Sequence, residues 1–286
     1  MTVSKNNNYY IFLEIIAVCF LATGGIWVKL SPLPPITTGF YRILFSLPIL
    51  FVPTHKQLKA ISKKDFLILL FAGAFLAGDI SLWNVSFGYT TVANANLLAN
   101  MTPFTVIPVS YFIFKEKVPR IFFLGTGITL IGLMILLGGK ITITSGSYLG
   151  DLLAFLTSIF YAGFLLISYR MRQHISSSVI MFVSGLGACV TLMYTSAIVE
   201  GLSFPPTISH LLPALGLTIC LQVIGHNLLA HCQKSVTVNL SSIICLIQPV
   251  VASVYSYLFF QEALSVQEIL GILVVILGVY LVKRQF

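Results

Sequence analysis

The chain has 286 residues, of which 57% are hydrophobic and 8% are charged, and its formal net charge is +8. This much apolar surface cannot be hidden in one soluble core, so the composition excludes an ordinary soluble globular protein. In a soluble chain the positive charge would suggest a nucleic-acid partner. Here membrane topology and anionic lipid headgroups account for it, and no nucleic acid is expected.

Ten apolar stretches follow one another along the chain, each of about 17 to 25 residues and long enough to cross a hydrocarbon layer of roughly 30 Å as a helix. They lie near residues 9–29, 36–52, 66–89, 92–114, 121–137, 149–169, 179–199, 211–232, 236–260 and 266–282. The connections are short, so no soluble domain that could hold an enzyme active site is expected. The sequence predicts an all-α polytopic membrane protein with ten transmembrane helices, and not an enzyme.

Basic residues are concentrated in alternate loops. Cytoplasmic loops carry an excess of Lys and Arg, so the bias predicts that both termini are cytoplasmic, in the cell inner membrane. The outer face holds only Lys29 and Lys140, and Arg42 lies within a span. The basic residues placed on the cytoplasmic side are Lys5, Lys56, Lys59, Lys63, Lys64, Lys115, Lys117, Arg120, Arg170, Arg172, Lys234, Lys283 and Arg284.

Residues 91–132 recur in pattern as residues 237–278, at a constant spacing of 146 residues. The earlier part of each copy is more diverged, and there residues 13–15 match residues 150–152. The flanking charges differ, because basic residues surround Glu116 whereas residues 259–265 contain none. The two copies are therefore predicted to cross the membrane in opposite directions, as two inverted five-helix repeats over residues 1–139 and 140–286. Matched pairs include Thr91/Thr237, Pro103/Pro249, Ser110/Ser256, Glu116/Glu262, Gly125/Gly271 and Gly132/Gly278.

These features resemble the EamA family of the drug/metabolite transporter superfamily over the whole chain. The specific parts of the resemblance are Arg42 in the second span, Pro103 and Pro249 in the fourth and ninth spans, and the glutamates that follow them. The resemblance implies a ten-helix carrier but leaves the substrate open. Arg42 has no counterpart in the second copy, which disfavours a symmetric clamp for a doubly anionic substrate.

Two charged residues within the spans are candidate substrate ligands, because ionisable groups are costly in a bilayer and need a reason to be there. Asp79 lies mid-span with Trp83 one turn later, a pair that suits a cationic group through ion pairing and a cation–π contact. Arg42 suits a carboxylate or phosphate. The structural alternatives are an interhelical hydrogen bond for Asp79, or an ion pair between Asp79 and Arg42.

Uncharged polar residues extend the candidate site. His226, with Gln222 one turn earlier, occupies the second copy's counterpart of the Asp79 region and could relay protons. Asn96 and Asn100 share a helix face with Pro103, and Gln248 belongs to the equivalent face in the ninth span. Such amides either recognise a zwitterion or hold helices together in lipid.

Other residues within or beside the spans are candidate cavity-lining or structural residues. Trp27, Tyr161 and Phe164 are candidate cavity aromatics, with plain packing as the alternative. Glu14 and Asp151 fall early in matching spans, where the helix dipole favours an acid, and we interpret both as structural. Glu116 and Glu262 are interpreted as helix-capping residues.

The sequence therefore predicts a secondary carrier of a small polar organic metabolite, with an amino acid or amino-acid-like compound favoured. A carrier of a nucleoside, of an S-adenosylmethionine-like compound or of cationic drugs is the alternative. The predicted partners are the solute, membrane lipid and a coupling proton or ion, and the protein is a monomer or a homodimer. No nucleotide-binding, metal-ligand or paired-cysteine motif is present, so neither a cofactor nor a metal is expected. The predicted substrate-binding residues are Asp79, Trp83, Asn96, Asn100, His226, Gln248, Arg42 and Trp27.

Overall fold

The computed structural model describes residues 7–115, 118–138, 148–201, 203–205, 207–261 and 263–284. Ten helices among these residues are long and apolar enough to span a membrane. They are α1 Asn8–Leu30, α2 Pro35–Thr54, α3 Lys63–Ser86, α4 Asn94–Phe114, α5 Arg120–Gly138, α6 Tyr148–Arg172, α7 Ser177–Val199, α8 Ile208–Cys232, α9 Val238–Phe259 and α10 Val266–Lys283. The prediction of an all-α protein with ten membrane helices is confirmed.

Hydroxyl side chains begin several of these helices by accepting a free backbone N–H, which is the expected role of Ser and Thr at a helix N-terminus. Ser62 accepts from the Asp65 N–H at the start of α3, and Ser265 forms a reciprocal capping box with Glu268 at the start of α10. The start of α2 is capped from another helix. Glu200, at the end of α7, accepts the backbone N–H groups of Ile36 and Thr37 at 2.8 Å each. This contact ties the two helices together at that face.

Glycines set the closest helix contacts. A β-carbon added at Gly73 in α3 would overlap the Ser184 carbonyl oxygen of α7, and one at Gly187 in α7 would overlap the Leu70 carbonyl oxygen of α3. Helices α5 and α10 pack in the same way, because a β-carbon at Gly132 would lie 2.6 Å from the Val275 nitrogen. Small residues let the helix backbones approach closely in lipid, where packing replaces the hydrophobic effect.

The two repeats carry matching irregularities. The helical path of α4 breaks at Asn100–Met101, immediately before Thr102, and that of α9 passes through a tighter turn at Cys245–Ile247. Pro103 and Pro249 follow these breaks, and a proline both lacks an N–H and clashes with the preceding turn. At the far ends of the two helices, Lys115 and Gln261 share a left-handed φ of 54°. These matched distortions accord with the inverted five-helix repeats.

Two further helices, α1 and α8, are also irregular. α1 is broken at Thr23, between Asn7–Ala22 and Gly24–Leu30. α8 contains a widened π-helical stretch, Leu217–His226, and such widened turns occur frequently at functional sites. The predicted boundary between residues 139 and 140, and the predicted capping residues Glu116 and Glu262, lie outside the described residues.

Candidate solute-binding cavity

A cavity opens between the interrupted helices near the middle of the bundle. The volume that the centres of water-sized molecules can occupy is about 80 Å³. Because one water needs roughly 10–15 Å³ on this measure, the cavity has room for several waters or for a small organic solute. The lining side chains come from α1, α2, α3, α4, α6, α8 and α9. They are Leu21, Arg42, Asp79, Trp83, Asn96, Ala99, Asn100, Thr102, Thr157, Tyr161, Leu221, His226, Ser242, Cys245, Leu246 and Gln248.

The structure thus brings seven of the eight predicted substrate-binding residues to one cavity, and the eighth, Trp27, lies elsewhere. The ring of Trp27 packs against Gly216 of α8, where an added β-carbon would lie 2.5 Å from the nearest ring atom. Its indole N–H is buried without a hydrogen-bond partner among the described residues. The sequence does not show which face of α1 lines the cavity, because both faces of this helix are apolar. Trp27 is a packing residue in this conformation.

Asp79 lines the cavity and is free of direct partners. Its carboxylate makes no hydrogen bond or ion pair within 4 Å with any residue that the structure describes. Neither an interhelical hydrogen bond nor a direct ion pair with Arg42 is formed by Asp79 in this part of the chain. Arg42 lines the same cavity and interacts with Asp79 electrostatically at longer range, which distinguishes Asp79 from a carboxyl group with no cation nearby. Trp83 follows one turn later on the same face of α3 and also lines the cavity.

Arg42 is 3% exposed and is held by α8. Its Nη2 donates to Gln222 Oε1 at 3.1 Å and lies 3.2 Å from His226 Nδ1. The Thr218 hydroxyl donates to the Arg42 backbone carbonyl at 2.8 Å. A guanidinium has five N–H donors. Only Nη2 is engaged by side chains in the described part of the chain, so donors remain for a solute in the cavity.

His226 has two competing contacts at the same ring nitrogen. Nδ1 lies 3.2 Å from Arg42 Nη2, which can only donate, and 3.1 Å from the Leu221 carbonyl, which can only accept. An unprotonated Nδ1 accepts from Arg42, whereas a protonated Nδ1 donates to Leu221, so one contact excludes the other. The rings of Tyr161 and Phe164 meet His226 edge-on. Tyr161 lines the cavity, and Phe164, the other predicted aromatic, is buried behind it.

The predicted amides divide their hydrogen-bonding groups between the backbone and the cavity. Asn100 Nδ2 donates to the Asn96 carbonyl at 2.7 Å, next to the break in α4. Gln248 Nε2 donates to the Leu21 carbonyl at 3.2 Å, next to the break in α1. The donors therefore stabilise carbonyls near interrupted turns. The side-chain oxygens of Asn100 and Gln248 make no hydrogen bond with described residues, and both side chains line the cavity.

Comparison with known proteins identifies this architecture. The model of the EamA-like transporter family matches residues 8–138 and again residues 148–284. The chain belongs to the EamA-like transporter family. Each EamA match covers one five-helix half, and together they place the chain among multi-pass membrane transporters.

The relatives of this EamA chain are described as uncharacterized transporters. It is 28% identical to YetK of Bacillus subtilis (strain 168) over 236 residues, which are 79% of this chain and 70% of that protein. It is 23% identical to a Clostridium kluyveri transporter, over 94% of this chain and 91% of the relative. A crystal structure with 15% sequence identity covers 98% of each chain with a TM-score of 0.79, which shows a shared fold.

Proposed function

We propose that the protein is a secondary carrier that moves an amino acid or amino-acid-like metabolite across the cell inner membrane by alternating access, with both termini in the cytoplasm. The transporter family supports the general class. One observation supports the substrate class: an unpaired carboxylate, Asp79, and a guanidinium with unused donors, Arg42, line the same cavity.

These two groups complement a zwitterion. The substrate ammonium would approach Asp79 and the face of Trp83, where an ion pair and a cation–π contact add together. The substrate carboxylate would accept hydrogen bonds from Arg42, whose planar fork suits two oxygens at once. The oxygens of Asn100 and Gln248 would accept remaining donors. The small cavity volume favours a compact solute over an adenosyl compound.

Counterflow in proteoliposomes tests this function. Vesicles preloaded with one unlabelled amino acid should transiently accumulate the same labelled compound, because a carrier exchanges solutes through one alternating site. Asp79→Asn and Arg42→Gln should each lower the initial rate by at least about tenfold, since a charge-assisted hydrogen bond contributes roughly 1.5–3 kcal/mol. The matched controls are Asp65→Asn and Arg170→Gln, which make the same changes at the cytoplasmic ends of α3 and α6.

The same assay separates the alternatives. Counterflow by a nucleoside or an S-adenosylmethionine-like compound, without any by amino acids, would replace the proposed substrate class. Counterflow by organic cations that is sensitive to Asp79→Asn but insensitive to Arg42→Gln would identify a cation carrier. Equal rates for wild type, Asp79→Asn and Arg42→Gln would remove both residues from the binding site.

A further inference from the structure

A second polar group lies within the bundle and does not line the solute cavity. Glu14 of α1 is fully buried, and neither carboxylate oxygen has a hydrogen-bond partner in the described part of the chain. The Ser241 hydroxyl of α9 lies beside the carboxyl group, but it forms no hydrogen bond of normal geometry and is also unpartnered. A position near the start of α1, where the helix dipole favours an acid, does not explain why the Glu14 carboxyl group is buried against α9.

Among the residues that the structure describes, no positive charge is paired with this carboxyl group. The titratable groups that surround it are Cys232 of α8, Cys245 of α9 and Tyr161 of α6, all of which are neutral in their ordinary protonation states. Arg172 is engaged elsewhere, because it donates to the Ile175 carbonyl and contacts His231.

The remaining titratable groups on α8 and α9, the helices packed against α1, also have other partners or positions. His226 contacts Arg42, and His231 lies between Arg172 and the ring of Tyr10. Tyr255 donates its hydroxyl to the Cys19 carbonyl, and Cys220 is a partly buried free thiol. His210 contacts the Thr207 hydroxyl at the start of α8, and Tyr257 is exposed. None of these groups supplies Glu14 with a cation or a hydrogen-bond donor.

A carboxylate without a cation or a donor is strongly disfavoured inside a membrane protein, whereas the neutral acid is tolerated. We propose that Glu14 is a proton-binding site that holds a proton in this conformation and exchanges it with water when α1 and α9 separate, thereby coupling proton movement to solute movement. The step needs no further reactant. One O–H bond forms when the carboxylate takes a proton from water and breaks when the acid returns it.

The inverted repeat supplies an internal comparison. Asp151 of α6 occupies the position that matches Glu14 in the second half. It is partly exposed and accepts hydrogen bonds from the Thr90 hydroxyl at 2.6 Å and from Asn94 Nδ2 at 3.3 Å. The Asp151 carboxyl group therefore has two hydrogen-bond donors, whereas Glu14 has none in the described part of the chain. Alternating access exchanges the environments of the two halves, so Glu14 should become hydrated in the opposite conformation. Cys245, which lines the cavity, lies near Glu14 and connects the two regions.

Infrared spectroscopy of the full-length protein in detergent at neutral pH tests the proton itself. The wild type should show the carbonyl stretching band of a protonated carboxylic acid, with the shift expected in heavy water, and Glu14→Gln should remove that band. Asp151→Asn is the matched control and should leave the band intact. An identical spectrum for wild type and Glu14→Gln would overturn the proposal. This readout needs no substrate and is independent of the proposed transport function.

Coupling is tested in proteoliposomes and rests on the proposed carrier function. Glu14→Gln should retain counterflow within about twofold but lose accumulation driven by a pH gradient, and Asp151→Asn should retain the wild-type ratio of accumulation to counterflow. Unchanged pH-driven accumulation in Glu14→Gln, or accumulation driven by sodium instead, would overturn proton coupling through Glu14. Absence of wild-type counterflow for every amino acid, with the infrared band present, would refute the proposed substrate class and leave the proton site standing.

Discussion

Arg42 shows how one residue can be both structural and available to a solute. Its backbone carbonyl and its Nη2 are held by Thr218, Gln222 and His226 of α8, so α2 and α8 fix the direction of the guanidinium. A long side chain loses considerable rotamer freedom when it binds a ligand, and an arginine that is already held loses less. The contacts to α8 therefore preorganise Arg42 for an anionic group.

Gln222→Met tests this preorganisation. The change keeps the side-chain length but removes the oxygen that accepts from Arg42, and we expect solute affinity to fall by roughly tenfold, because hydrogen bonds to charged groups contribute about 1.5–3 kcal/mol. Affinity is measured as the concentration dependence of counterflow. Gln267→Met is the control, because the exposed Gln267, in the first turn of α10, donates to the Ile135 carbonyl of α5 and does not line the cavity. An unchanged half-saturating concentration in Gln222→Met would argue against a positioning role.

The two tryptophans should respond differently to substitution. Trp83 lines the cavity beside Asp79, whereas Trp27 packs on Gly216. Trp83→Ala should weaken binding of an ammonium-containing solute by about fivefold or more, because a desolvated cation–π contact is worth roughly 1–2 kcal/mol. Trp27→Phe should lower thermal stability while leaving affinity unchanged. Ligand-induced thermal shifts distinguish these results, and equal losses of affinity would place both rings in the binding site.

The sequence predicted these residues unequally, for physical reasons. Asp79 with Trp83, and Asn96 with Asn100, are one helical turn apart, so local periodicity alone places each pair on one face. The partners of Arg42 lie about 180 residues away in sequence and depend on how α8 packs. The complete burial of Glu14 was not predicted for the same reason, because a helix-dipole argument uses only α1 and contains no information about Ser241.

At the scale of elements, the four irregular helices α1, α4, α8 and α9 all line the cavity. Regular helices satisfy their own backbone groups, so the membrane interior normally exposes only side chains. The breaks in α1, α4 and α9 bring polar groups to the cavity, where Gln248 and Asn100 bind backbone carbonyls. Pro103 and Pro249 account for the breaks in α4 and α9. The widened stretch of α8, Leu217–His226, contains no proline, and its contacts with Arg42 and Leu21 are seen only in the tertiary structure.

The packing of α3 against α7 is tested by Gly187→Ala. A β-carbon there would overlap the Leu70 carbonyl, which belongs to backbone and cannot rotate away, so we expect a loss of about 1–3 kcal/mol of stability from overpacking. Gly127→Ala is the matched control in α5, because nothing lies within 4 Å of its added methyl group. It should be neutral or stabilising by up to about 1 kcal/mol. Thermal unfolding in detergent measures both, and equal melting temperatures would contradict the close α3–α7 contact.

At the scale of the whole molecule, the fold was the most predictable property. Hydropathy predicts the number of spans, because each span must cross the same hydrocarbon thickness. The internal repeat predicts that the two five-helix halves have the same fold in opposite orientations. The cavity follows from both, since the matched breaks of α4 and α9 meet between the halves. Orientation in the membrane depends on a different physical quantity, the distribution of basic residues between loops, and it needs its own test.

Single-cysteine labelling provides that test. With the five native cysteines replaced, Ser209→Cys in the first turn of α8 should react with a membrane-impermeant maleimide in intact cells, whereas Lys59→Cys between α2 and α3 should react only after the membrane is permeabilised. Both positions are exposed, so accessibility differs only through the side of the membrane. The basic residues of the α2–α3 loop, Lys56, Lys59, Lys63 and Lys64, favour the cytoplasm, and the described residues of the α7–α8 connection include no lysine or arginine. Labelling of Lys59→Cys in intact cells would reverse the orientation of all ten helices, because each short connection leaves its neighbours only one direction in which to cross.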